Sequence, residues 1–159
     1  MSKPVVFTLV FLLAPTAWTQ TAPAGWKVVK DAKNACQISV PPEWAPWSDT
    51  SGAAVFHDTT TALAVVTTQP GQNFQPLTPA MQRLSGIAKD KLFENTVKRV
   101  FYQDRVSTRA DEPNAYSASV PGTGGTCSCR VVFLPAISAE TVKKIVLSLA
   151  PVGASGASN

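Results

Sequence analysis

Residues 36–47 have the sequence Cys-Gln-Ile-Ser-Val-Pro-Pro-Glu-Trp-Ala-Pro-Trp, which predicts the first buried strand and its exit. Apolar and polar residues alternate from Cys36 to Val40, and this is the period of a half-buried strand. Two prolines end the strand, because neither has an N–H to donate to a neighbouring strand. We expect Trp44 and Trp47, which follow the prolines, to cover the edge of the core; a surface for a partner or ligand is the alternative.

The chain begins with the pattern of a secretory signal peptide. One lysine precedes about ten mostly apolar residues, fewer than the roughly 20 that a transmembrane helix needs. Small residues at positions 22 and 24 predict cleavage after Ala24, and an uncleaved anchor is the alternative. We therefore expect a signal peptide over residues 1–24, a single domain over residues 25–151 and a disordered tail over residues 152–159.

Export predicts a secreted or periplasmic location. The rest of the sequence has no second long apolar run, so we expect no transmembrane segment in the mature chain. The formal net charge is +4, and residues 83–109 contain seven basic against three acidic side chains. Such an excess can attract nucleic acid or an anionic surface. Because aromatic residues are not interleaved with these charges, we expect this region to be a solvated face and not to bind nucleic acid. The partner that we expect is instead a protein or an envelope component.

Further short apolar runs predict strands that pair largely as hairpins, at residues 25–30, 53–58, 62–68, 97–106, 115–120 and 126–134. Thr78 and Pro79 indicate a helix start, and an apolar stripe follows at helical spacing, formed by Met81, Leu84, Ile87, Ala88 and Leu92. Ser138 starts a closing helix with its own apolar face, formed by Val142, Ile145, Val146 and Leu149. The expected fold class is α+β, an antiparallel sheet packed by two amphipathic helices.

This order of elements resembles that of PsbP-like domains. The similarity spans residues 26–150 and includes an early strand that runs into a Pro-x-x-Trp turn, here residues 41–44, and the amphipathic end of the closing helix, residues 145–149. The resemblance implies an α/β/α sandwich around an antiparallel sheet. It also implies an accessory or assembly role without a shared catalytic residue, although fold analogy is weak support for function.

The three cysteines predict one disulfide. Disulfides persist in exported proteins, and Cys36, Cys127 and Cys129 are all expected to face the core. We expect Cys36 to pair with either Cys127 or Cys129, closing a loop of about 90 residues. A bond between Cys127 and Cys129 is less favourable, because alternate residues of an extended strand lie too far apart. Three buried thiols, or a functional thiol, are the alternatives.

Catalytic and metal-binding patterns are weak. Cys127, Cys129 and His57 could together hold a soft metal or handle thiols, but the chain has a single histidine and no Cys-x-x-Cys pair. No Gly-x-Ser-x-Gly elbow is present, and the glycine-rich residues 121–125 lack the lysine of a phosphate-binding loop. We therefore predict no metal, no cofactor and no catalytic residue.

These observations together predict an exported, non-catalytic accessory or binding domain. The alternative is a small periplasmic metal- or thiol-handling protein that uses Cys127, Cys129 and His57.

Overall fold

The computed structural model describes residues 23–47, 54–58, 61–109 and 111–153. The predicted signal peptide, except its last two residues, and residues 154–159 of the predicted tail lie outside this part of the chain. Within the part that is described, no helix is long and apolar enough to cross a membrane.

Most of the regular secondary structure that is described lies in two antiparallel sheets. The strands are β1 (Lys27–Lys30), β2 (Cys36–Val40), β3 (Ala45–Trp47), β4 (Ala54–His57), β5 (Ala62–Pro70), β6 (Leu92–Asn95), β7 (Val100–Arg105), β8 (Asn114–Gly122), β9 (Gly125–Phe133) and β10 (Ala150–Pro151). The large sheet has the order β3-β4-β5-β9-β8-β7-β6, and the small sheet has the order β1-β2-β10. The nine-residue strands β5, β8 and β9 form the centre of the large sheet.

The core lies between one face of the large sheet and a layer made by the small sheet and helix α2 (Ala139–Leu147). As expected from its alternation, β2 buries Cys36, Ile38 and Val40 completely. On α2, Val142, Ile145 and Val146 are buried against β2, β8 and β9, as the apolar face of the closing helix predicts. We call the face of the large sheet that covers this core the inner face and the opposite one the outer face.

The expectation of two amphipathic helices packed on a sheet is wrong, and so is the α/β/α sandwich that the resemblance implies. Helix α1 (Pro79–Leu84) has six residues, none of them buried, and Leu84 is 89% exposed. Gly86 lies at φ 66°, where the chain leaves the helix, and the N–H groups of Gly86 and Ile87 bond back to Arg83 and Gln82. The predicted stripe is therefore divided between a short helix, the connecting residues Ile87 and Ala88, and β6, and the fold is β-rich.

Asp31 ties the turn between β1 and β2 to the large sheet. Its Oδ1 accepts hydrogen bonds from the backbone N–H groups of Ala35 at 2.7 Å and Cys36 at 2.9 Å, and its Oδ2 accepts one from the Thr68 hydroxyl on β5. Burial raises the pKa of the Asp31 carboxyl, but these hydrogen bonds favour the ionised form and hold the pKa below its ordinary value. The charge on Asp31 therefore stabilises the folded chain.

We expect Asp31→Asn to lower the free energy of unfolding by about 2 kcal/mol near neutral pH, because hydrogen bonds to an ionised group contribute about 1.5–3 kcal/mol. The pKa of Asp31 is lower in the folded than in the unfolded chain. The stabilisation is therefore present above about pH 4 and is lost as the pH falls through the folded value. Urea denaturation over this range should show the gap between the two proteins closing at low pH.

Asp90→Asn is the matched control, because the Asp90 side chain is 72% exposed and contacts Lys91 at 3.2 Å. An exposed pair of this kind contributes about 0–1 kcal/mol. A gap between Asp31→Asn and the wild type that stayed constant with pH would contradict the role given to the Asp31 charge.

Candidate binding site

The strand register brings an exposed tryptophan and the histidine together on the outer face. His57 on β4 lies opposite Leu63 on β5, and Leu63 lies opposite Val132 on β9, so these three side chains share one face. Trp47 on β3 lies opposite Val55 on β4. Because Val55 precedes His57 by two residues, Trp47 is the diagonal neighbour of His57. The Trp47 and His57 rings meet edge-to-face with centroids 5.0 Å apart.

These rings form one side of an open cavity of about 370 Å³ at the end of the large sheet. The residues that line it include Trp47, His57, Thr61, Leu63, Pro113, Val132 and Leu134. Trp47 is 55% exposed and Leu63 is 39% exposed, so apolar surface is presented to solvent at the mouth. A concave, mostly apolar site with a few polar groups, here the side chains of His57 and Thr61, is the common form of a small-molecule site.

Hydrogen bonds to Asp58 hold the described residues beside His57 at this end of the cavity. The Asp58 carboxylate accepts hydrogen bonds from the N–H groups of Thr61 at 2.8 Å and Ala62 at 2.6 Å, and from the Thr61 hydroxyl. Burial raises the pKa of Asp58, but these bonds and the nearby His57 hold it below its ordinary value. The Asp58 carbonyl oxygen lies 3.0 Å from His57 Nδ1, so Asp58 also orients the imidazole.

The two tryptophans that the sequence places together are separated by the fold. Trp44 is 2% exposed and belongs to the core, and its backbone N–H bonds to the Pro41 carbonyl at 3.1 Å. Trp47 stands at the mouth of the cavity. The expectation of a core cover fits Trp44 but not the exposed Trp47, and a partner or ligand surface at Trp47 stays a prediction.

Cys127 and Cys129 lie on the inner face, opposite to His57, and Cys36 packs against that face from the small sheet. Cys36 and Cys127 form a disulfide that joins the small sheet to the large one, in agreement with the prediction of a bond from Cys36. Cys129 is a buried free thiol whose pKa is raised to about 12 by burial. The structure therefore does not bring Cys127, Cys129 and His57 into one metal- or thiol-handling set, and the described residues contain no other cluster of metal-ligating side chains.

Much of the positive charge in residues 83–109 is compensated locally. Lys91 contacts Asp90 at 3.2 Å, and Arg99 contacts Glu94 at 3.6 Å. Arg109 contacts Asp111 at 3.0 Å. These contacts place both signs of charge in this region, and the expectation of a solvated face stays a prediction.

Sequence reasoning missed most of the cavity wall. Leu63, Pro113, Val132 and Leu134 carry no motif, and they come from three separate parts of the chain. The sequence of β9 did contain one indication of the cavity. Val132 is apolar, although it lies on the same face of the strand as the polar residues Ser128 and Arg130. An apolar residue in the solvent phase of a strand indicates a covered or binding surface.

No protein-family profile and no curated protein matches the chain. A crystal structure from Bacteroides thetaiotaomicron VPI-5482, determined at 1.50 Å resolution, is similar to it, with 15% sequence identity and a TM-score of 0.48. The similarity covers 73% of this chain and 44% of that one, so this chain spans less than half the length of the solved protein. A similarity at this level carries no argument about fold or function, and the resemblance to PsbP-like domains stays a prediction. The fold and the cavity define a disulfide-linked, β-rich domain with an open apolar pocket.

Proposed function

We propose that the chain is an exported, non-catalytic binding domain and that its binding site is the cavity beside Trp47 and His57. The observation that carries the proposal is the half-exposed Trp47 ring held edge-on to His57 at the mouth of an apolar cavity. Tryptophan in such a position is enriched at binding hot spots. The leader pattern supports export, and the disulfide is compatible with an oxidising compartment.

The composition of the cavity favours binding over catalysis. Among the described residues that line it, His57 is the single titratable side chain, and its Nδ1 faces a backbone carbonyl. Acid–base or nucleophilic catalysis usually combines a histidine with a nucleophile or carboxylate in hydrogen-bond reach. The lining instead presents apolar surface, whose removal from water is the main source of affinity for a small ligand.

We expect the neutral apolar dye N-phenyl-1-naphthylamine to bind the disulfide-bonded chain with increased dye fluorescence, and Trp47→Ala to weaken this binding about tenfold. Val97→Ala is the matched control, because Val97 is 74% exposed and lies in the turn between β6 and β7, away from the cavity. It should leave the affinity unchanged. Equal affinities for the two variants would overturn the assignment of the site.

A further inference from the structure

We infer that the cavity takes a small, neutral aromatic molecule bearing a hydroxyl group, whose O–H donates a hydrogen bond to Nε2 of His57. This inference rests on the proposed function and adds the chemical class of the ligand. It follows from three features of the site: the protonation pattern of the imidazole, the lack of charge in the lining, and the ring of Trp47.

The hydrogen bond at Nδ1 determines what His57 offers to a ligand. Its partner is the backbone carbonyl oxygen of Asp58, at 3.0 Å, and a carbonyl oxygen can only accept. Nδ1 therefore carries the hydrogen. In the neutral imidazole the second nitrogen, Nε2, then holds a lone pair and acts as an acceptor.

We infer that Nε2 is the nitrogen offered to a ligand, because it is the ring nitrogen farther from the backbone on a side chain that lines the cavity, and it is not among the buried unpaired atoms of the described residues. The ring is kept in place by the Asp58 carbonyl on one side and by the edge-to-face contact with Trp47 on the other. Within the described part of the chain, the hydrogen bond of the imidazole is the one at Nδ1. A preoriented acceptor of this kind favours a ligand with an O–H or N–H donor.

The remaining walls exclude charged ligands and favour a ring. Leu63 and Val132 form the floor beside His57, and Pro113 and Leu134 close the end of the sheet. The described lining contains no lysine, arginine or carboxylate side chain, so an ion would lose its hydration without gaining a partner. An aromatic ligand can instead pack against Trp47. The cavity, at about 370 Å³, is large enough for a small aromatic molecule.

Three probes of nearly equal shape test the ligand class on the disulfide-bonded chain by isothermal titration calorimetry: p-cresol, toluene and 4-methylanisole. We expect p-cresol to bind about fivefold tighter than either of the others, because only p-cresol can donate a hydrogen bond. A purely apolar cavity would instead prefer toluene, since burying an unpaired hydroxyl is unfavourable. Toluene or 4-methylanisole binding as tightly as p-cresol would overturn the inference.

Two variants identify the acceptor. His57→Phe keeps a ring but removes the lone pair, so the preference for p-cresol over toluene should be lost. His57→Gln places a carbonyl oxygen at a similar reach and should retain a preference for p-cresol. Urea denaturation confirms that each variant is folded. An unchanged preference in His57→Phe would exclude Nε2 as the acceptor.

Two further comparisons distinguish a free phenol from a tyrosine side chain as the ligand, and distinguish failure of this inference from failure of the proposed function. N-acetyltyrosinamide carries the same phenol on a peptide backbone. If it binds as well as p-cresol, the ligand class extends to a tyrosine side chain, and if it does not, the class is a free phenol; the inference is supported in both cases. If N-phenyl-1-naphthylamine binds at Trp47 while p-cresol shows no preference over toluene, the ligand class fails and the proposed function stands. If none of the probes binds, both fail.

Discussion

Replacing Cys36 and Cys127 together by alanine lowers the free energy of unfolding by about 4 kcal/mol in urea denaturation without reductant. The two residues are 91 positions apart, and a crosslink over a loop of this length restricts the unfolded chain strongly. In the chain-entropy treatment such a loop contributes about 4–5 kcal/mol, and removal of a native disulfide from a small exported domain costs about 2–5 kcal/mol. The bond also joins the small sheet to the large one, so its loss affects the whole core.

Cys129→Ala is the matched control, because it removes a buried sulfur without removing a crosslink. We expect a loss of about 1 kcal/mol from the small cavity that it leaves. Dithiothreitol should abolish most of the difference between the wild type and the double variant. A double variant no less stable than Cys129→Ala would contradict the stabilising role of the disulfide.

Alkylation of the wild type distinguishes the free thiol of Cys129 from the two sulfurs of the disulfide. Cys129 is buried and its pKa is raised to about 12 by burial, so iodoacetamide should leave the native protein unmodified. After unfolding in urea without reductant, one thiol per chain should react, as measured by intact mass. Three modified cysteines under these conditions would show that the disulfide is absent.

Trp44→Ala lowers the free energy of unfolding by about 3–5 kcal/mol, whereas Trp47→Ala changes it by about 0.5 kcal/mol or less. The difference follows from burial: Trp44 is 2% exposed within the core, and Trp47 is 55% exposed beside the cavity. Truncating a buried indole leaves a cavity and removes its transfer free energy. Urea denaturation of the two variants measures the contrast directly.

Fluorescence quenching by acrylamide gives an independent check on the same pair. Loss of Trp47 should remove quencher-accessible emission, and loss of Trp44, measured below the unfolding transition, should remove protected, blue-shifted emission. Trp44→Phe controls for aromatic volume and should be less destabilising than Trp44→Ala. Similar stability losses for Trp44→Ala and Trp47→Ala would contradict this division of roles.

The spacing of apolar residues in the sequence was sufficient to predict the buried faces of β2 and α2, but it was insufficient to predict the length of α1. The alternation from Cys36 to Val40 and the apolar face of α2 correspond to buried surfaces, because each face is defined by a few adjacent residues. The long helix predicted after Thr78 failed at Gly86, whose positive φ ends α1 after six residues. Apolar spacing alone cannot tell a continuous helix from a short helix followed by a turn and an edge strand.

The candidate site could not be assembled from the sequence. Trp47 and His57 were identified individually, but one was assigned to a surface with Trp44 and the other to a set with Cys127 and Cys129. The pairing of β3 with β4 brings the two rings to 5.0 Å, and the pairing of β5 with β9 adds the apolar floor. A shift of one residue in either register would turn these side chains to the inner face.

The amino-acid sequence by itself determined where short buried strands and the closing helix form and that Cys36 should be crosslinked, because these depend on the period of neighbouring residues and on cysteine in an exported chain. Only the tertiary structure decided which cysteine completes the bond and which tryptophan is buried. It also decided that His57 lines an apolar cavity together with residues that are distant in sequence, such as Leu134, 77 positions away. The physical reason is that strand pairing is non-local: register and sheet order assign each side chain to a face, and no short segment encodes them.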